Sequence, residues 1–209
     1  LSYNHNETFV KGNSYDKIGS RINLDYQILK NLKMQFGTSF TNADNNRVYS
    51  GWSGGYGLLM SSALPFYPVR NPNGSYFLFN NSDAGFRTNP VMMLDLYKWV
   101  TNEQRSISNL AFDYNITKNL KARVQGNYDY QSISDDQFAP QELNKTTGSD
   151  TTSIAVKNLR YTSNFNYLAQ LSYKYEINKT NKLDFVGGFE RQQSITQGYN
   201  IVERAAEGF

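Results

Sequence analysis

Apolar and polar residues alternate with a period of two through the middle of the chain. From Leu110 the even positions read Leu110, Phe112, Tyr114 and Ile116, with Asn109, Ala111, Asp113 and Asn115 between them. After Thr117-Lys118-Asn119 the even positions are again Leu120, Ala122, Val124, Gly126, Tyr128 and Tyr130. Their odd neighbours are Lys121, Arg123, Gln125, Asn127, Asp129 and Gln131. A period of two means extended backbone with one greasy face and one wet face. The short link predicts an antiparallel hairpin. Each strand has roughly the ten residues that cross a bilayer core when tilted.

The same alternation recurs elsewhere. Ile18, Ile22, Leu24, Tyr26 and Ile28 share one face, opposite Lys17, Arg21, Asn23, Asp25 and Gln27. Leu32, Met34, Phe36 and Phe40 define the next strand. Phe165, Tyr167, Ala169, Leu171, Tyr173 and Tyr175 define another, and Leu183, Phe185, Gly187 and Phe189 open the last. With a weak opening strand the pattern predicts seven: about 1–10, 15–29, 32–42, 106–116, 120–131, 163–177 and 183–197. Two long connections, 42–105 and 132–162, separate them. In the first, Leu58 to Ala63 reads as a short helix, and Asn89-Pro90 reads as an N-cap followed by Pro at the first helical position, opening a helix to about Val100. Connections this long are often functional.

Link lengths decide what the greasy face meets. The links after the second, fourth and sixth strands are short, and both long ones fall at the opposite end. Outer-membrane barrels have this asymmetry. Aromatic residues also gather at both ends of the greasy face: Tyr26, Tyr114, Tyr173 and Tyr175 near the short turns, with Phe40, Tyr128 and Tyr130 near the long loops. Tyr15 falls just off that face. Two membrane interfaces select such girdles. A soluble sandwich also alternates, because it buries one face, but it has no reason to place Tyr at both rims. The expected fold is therefore all-β: part of an antiparallel, up-and-down transmembrane β-barrel whose long extracellular loops carry short helices.

Composition narrows this further. Mean hydropathy is −0.63 and no run of 18 apolar residues exists, so a transmembrane helix is excluded. A barrel is not, because about half of its strand residues face a polar lumen. The net charge of +3 is spread along the chain, with no basic block suited to nucleic acid. The absence of cysteine excludes a disulfide scaffold and thiolate metal sites. The chain opens at Leu1 without an initiator Met or signal-peptide pattern, and Phe209 ends a stretch that does not alternate. Seven strands are an odd number, whereas bacterial single-chain barrels have an even count. A piece of a longer protein is expected.

Several stretches resemble the SusC/RagA-type TonB-dependent outer-membrane transporters. They are Gly19-Ser20-Arg21-Ile22-Asn23-Leu24-Asp25-Tyr26 followed by Asn31-Leu32-Lys33, then Pro65-Phe66-Tyr67-Pro68-Val69 with Asn71-Pro72-Asn73-Gly74-Ser75-Tyr76. Asn89-Pro90-Val91 is similar to that family's Asn-Pro helix start, and Leu183 to Glu190 to its Leu-x-x-x-x-Gly-x-Glu strand. The order and spacing fit over most of the chain. The resemblance implies a large barrel with an N-terminal plug that this stretch lacks, coupling to the TonB complex, a SusD-like lipoprotein on the surface, and oligosaccharide or peptide substrates. The alternatives are another outer-membrane barrel, porin or adhesin, and a soluble β-rich secreted binding domain.

Candidate chemistry is sparse. His5 is the only histidine, so a histidine triad or zinc site is unsupported and a strand or rim residue is expected. Asp135-Asp136 could pair as carboxylates or hold Ca2+, but without an EF-hand pattern solvated loop charges are expected. Gly51 to Gly57 lacks the Lys and Ser/Thr of a phosphate loop, so a flexible or tightly packed loop is the default. Asn115-Ile116-Thr117 is a chance sequon. No nucleophile–base pair, metal set or cofactor motif is present, so no enzyme is expected. Two groups remain. Trp52, Tyr56, Tyr67, Tyr76 and Trp99 are loop aromatics that could stack on a ligand or simply pack the loop. Arg21, Asp25, Lys121, Arg123 and Asp129 fall on the wet face and would line a lumen, mostly as salt-linked wall residues.

Overall fold

A computed structural model describes residues 1–51, 55–78, 88–143, 152–178 and 180–205. Its strands are β1 (Ser2–Glu7), β2 (Ser14–Leu29), β3 (Leu32–Asn46), β4 (Lys98–Asn115), β5 (Leu120–Ala139), β6 (Ser153–Glu176) and β7 (Lys182–Ala205). Two short helices, α1 (Tyr56–Ser62) and α2 (Pro90–Leu96), lie between β3 and β4. The seven strands form one antiparallel meander in sequence order.

The turns at one end are closed by local side-chain bonds. In the β4–β5 turn, Thr117 Oγ1 accepts the amides of Asn119 and Leu120, at 3.2 and 3.0 Å. In the β6–β7 turn, Asn178 Oδ1 accepts those of Thr180 and Asn181, at 2.9 and 2.7 Å. These turns need no extra chain, because a Ser/Thr or Asn side chain mimics the missing backbone partner. The β1–β2 turn, the β3–β4 connection and the 140–152 connection lie at the other end. The asymmetry read from link lengths is present.

Register puts the greasy residues in rows across the sheet. Phe189, Ala169, Val124, Phe112, Met34 and Tyr26 are successive cross-strand partners. The next row is Tyr167, Gly126, Leu110, Phe36 and Leu24. No described residue covers this face: Ile22 is 63%, Val124 56% and Leu171 52% exposed. A sandwich would have buried these side chains under a second sheet. Here the buried apolar residues are few and lie mostly in the loops, where Leu59, Met92, Met93 and Leu143 cluster. Rings meet along the face, Tyr128 tilted against Phe165 at 4.7 Å and Tyr173 stacked beside Tyr175 at 6.4 Å.

β1 is shorter than the expected 1–10, β2 matches, and the strands from β3 on are longer than the alternation predicts. β4 begins at Lys98 rather than near 106, β5 runs to Ala139 rather than 131, and β6 begins at Ser153 rather than 163. A bilayer needs only roughly 9–11 residues per tilted strand, and β6 and β7 have 24 each. In a membrane the surplus would stand beyond the lipid. There both faces can be wet, so no apolar period marks the strand: outward-facing Gln104, Asn102, Asn42 and Asp44 already occupy this zone. The second helix is correspondingly shorter than expected. It ends at Leu96, with Tyr97 extended, and Val100 pairs with Asn46 and Asp136 in the sheet. The apolar spacing of Leu96, Tyr97 and Val100 is compatible with a helix, but two strand ladders supply the Val100 region with more backbone bonds than one further helical turn.

Candidate functional site

The odd positions of β2 to β5 and the even positions of β6 and β7 form the wet face. Arg21, Asp25, Lys121, Arg123 and Asp129 all lie on it. Four of the five are salt-linked. The Arg105 guanidinium grips Asp129 with two bonds of 2.9 and 2.7 Å. Arg123 and Lys121 share Asp113, at 3.2 and 3.0 Å, and Asp25 meets Lys33 at 3.3 Å. Amides fill the gaps, as where Asn127 donates to Asn166 and Asn166 to Glu190. This polar carpet is dense enough to leave Ala111 only 1% exposed beneath it.

The long β3–β4 connection packs against the loop end of this face. Asn89 ties it together. Its side-chain oxygen accepts the Val91 amide at 2.9 Å and caps α2, while its nitrogen donates to the carbonyls of Val69 and Phe77 at 2.8 and 3.1 Å. Between those two carbonyls the chain reverses through Asn71 to Tyr76, with Gly74 at φ +86°, a left-handed value that favours glycine. At the start of α1, a Cβ on Gly55 would fall on the backbone of Gly51. The glycine-rich stretch is therefore packed tightly where it is described. Tyr97 donates to Gln137 at 2.9 Å; burial pushes its phenol up to about 12, so it stays a neutral donor.

Asp95 joins three elements. Lys11 from the β1–β2 turn reaches it at 2.8 Å, the Tyr76 hydroxyl at 2.9 Å and Arg70 at 3.4 Å. The Lys11 ammonium, bonded to it, holds the Asp95 carboxyl below its usual 3.8. A depressed folded value means the tie is complete above about pH 4 and is lost as pH falls through the depressed value. Acidification below about pH 4 is expected to lower amide protection factors, corrected for the intrinsic pH dependence of exchange, in 64–78 and 88–97, and Asp95→Asn should remove that step.

The predicted loop aromatics do not converge on one spot. Tyr76 lies under Arg70 at 4.2 Å and is committed to Asp95. Tyr67 packs between Phe66 and Phe77. Tyr56 begins α1, where its amide donates to the Tyr49 carbonyl. Trp99 stands apart, on the wet face of β4, with Arg47 over its ring at 5.4 Å and its Nε1 bonded to Asp135 at 2.5 Å. Trp52 lies outside the described residues.

Asp135 and Asp136 are not loop charges. They sit inside β5, so they point to opposite faces: Asp135 takes Trp99 and Thr101, and Asp136 pairs with Lys157 at 3.0 Å. Sequence reading placed them in a loop because the apolar period had already faded. Among the described residues no group of three or more His, Cys, Asp or Glu could hold a metal ion. His5 bonds Asp16 at 2.6 Å at the rim.

No family model matches the chain. It is 24% identical over all 209 residues to TonB-dependent receptor P26 of Formosa agariphila, and spans 20% of that protein. Solved structures of the RagAB peptide importer, in closed-closed and open-open states, share its fold. Each superposes with a TM-score of 0.75 at 14% identity, over 94% of this chain and 22% of theirs. The chain thus spans about a fifth of the length of these relatives. With an uncovered apolar face, a charged opposite face and loops gathered at one end, the sheet has the fold of a stretch of β-barrel wall in the RagAB importer structures, and its sequence is similar to that of a TonB-dependent receptor.

Proposed function

We propose that the chain is part of the barrel of a TonB-dependent outer-membrane importer of oligosaccharides or peptides. On this reading residues 1–209 belong to the barrel domain, and the plug and the TonB-contacting segment lie outside them. The loop end faces the cell exterior and works with a SusD-like lipoprotein. Arg21, Asp25, Lys121, Arg123 and Asp129 then line the lumen, and Trp99 and the loop rings Tyr56, Tyr67 and Tyr76 stand near the path of entering substrate.

The observation that carries this reading is the contrast between the two faces of one sheet. Lipid tolerates Val124 and Leu110 but not Arg105–Asp129, and a water-filled or plugged lumen accommodates the reverse. Named relatives that are a receptor and an importer support transport rather than catalysis. The test is uptake of labelled oligosaccharide and peptide mixtures by cells carrying the full-length protein, with and without TonB. Uptake of one class should fall to background when either component is removed. Uptake that survives loss of TonB would overturn the reading in favour of a passive pore.

A further inference from the structure

We propose that the loop end of the wet face holds a carboxylate-binding site built on Arg47 and Arg160. Both line one cleft of ≈ 320 Å³ together with Thr101, Glu103, Asp135 and Asn158. Lower on the same face Arg105 has Asp129 and Arg123 has Asp113, while Arg21 on β2 has no acid among the described residues. In the cleft the acids are already satisfied by neutral donors. Asp135 takes the Trp99 indole at 2.5 Å and the Thr101 hydroxyl at 2.6 Å on one oxygen, and the Gln137 amide at 3.0 Å on the other. Glu103 accepts from Gln131 at 2.5 Å.

Neither Arg47 nor Arg160 forms an ion pair among the described residues, and both side chains are exposed. Arg47 is held over the Trp99 ring. A cation–π contact at this distance uses none of the guanidinium's N–H donors, which are left for a planar, two-oxygen acceptor. Trp99 is in turn fixed by its bond to Asp135, so the support beneath Arg47 is rigid. The cleft therefore offers two donor groups that lack an acceptor, next to Asn158 and Thr101. A carboxylate fits that chemistry; a neutral chain gains nothing from the arginines.

The inference rests on the transport reading for which molecules reach the cleft. Two carriers share the group: a peptide, through its C-terminus or an acidic side chain, and an oligosaccharide bearing uronic acid. Binding to the full-length protein in detergent separates them. The probes are trialanine against its C-terminal amide, and trigalacturonate against its methyl ester. One acid probe should bind about tenfold or more tightly than its neutral partner, the worth of one charge-assisted bond. Arg160→Gln should abolish the difference, and so should Arg47→Gln, with Arg47→Lys keeping only part of it. Peptide preference assigns the site to peptides, and uronate preference to acidic oligosaccharides. Equal binding of acid and neutral probes, no binding of either, or a preference that survives both glutamine variants overturns the site. Detergent binding needs no energy source, so a carboxylate preference with TonB-independent uptake would overturn the transport reading alone. TonB-dependent uptake that ignores the carboxylate would overturn the site alone.

Discussion

Leu110→Arg should destabilise the protein in lipid vesicles by about 2–4 kcal/mol, while Asn109→Arg, one residue away, should cost less than about 1 kcal/mol. The difference comes from the medium each side chain meets. Leu110 lies in the middle of the greasy face, between Phe36 and Gly126 on the neighbouring strands, and is 39% exposed with no described residue above it. An arginine there must sit among acyl chains or drag water to itself. Asn109 points to the other face, opposite Gly37 and Asn127, where a guanidinium joins an existing set of amides. Urea titration of the reconstituted full-length protein, followed by tryptophan fluorescence, measures both. Equal costs at the two positions would mean that both faces see the same environment.

Asn89→Ala should cost about 3 kcal/mol, all of it in the loop. Asn89 is 2% exposed, so water does not replace what is lost. Removing an N-cap costs about 0.5–2 kcal/mol, and each buried carbonyl left bare, here Val69 and Phe77, adds about 1 kcal/mol or more. Asn89→Asp keeps the cap acceptor but loses both donations and buries a charge, so it should not rescue. Limited proteolysis reads the result: cleavage within 64–97 should rise steeply in both variants while the β-sheet signal in circular dichroism stays. Unchanged cleavage would show that the loop is held by its apolar cluster alone.

The centres of β2 to β6 were legible because the two faces of the sheet carry opposite residue types at neighbouring positions. Ile22 against Arg21 and Leu110 against Asn109 are such pairs, and one of each was already enough to assign a face. The strand ends were not legible, because above the lipid that contrast disappears. Lys98 to Arg105 and Ser153 to Thr162 show no clean alternation, since outward Val100, Leu159 and Tyr161 are mixed with outward Asn102, Gln104 and Lys157 and with inward Ile154 and Val156, yet their backbones continue the same ladders. The start of α2 was visible in Asn89-Pro90, since capping is local. Its end was not, since Val100 is drawn into the sheet by partners 54 and 36 residues away, Asn46 and Asp136.

The site was legible only in part for a related reason. Which face Arg123 or Asp129 occupies follows from parity. Which acid Lys11 meets does not: Asp95 is 84 residues away and nothing local marks it. The loop rings drew notice as ring types, but their roles depend on neighbours, such as Arg70 over Tyr76 or Asp135 beside Trp99, that only the fold brings together.

The account depends on acyl chains touching the even side of β5. The chain has no cysteine, so single cysteines can be placed one at a time in the full-length protein, at Ala122, Val124 and Gly126 and at Arg123, Gln125 and Asn127. With spin labels in reconstituted vesicles, the first set should show high collision rates with oxygen and low rates with a water-soluble nickel chelate, and the second set should not share that signature. If oxygen and nickel accessibility fail to alternate along β5, or alternate with the opposite parity, this sheet is not a membrane wall.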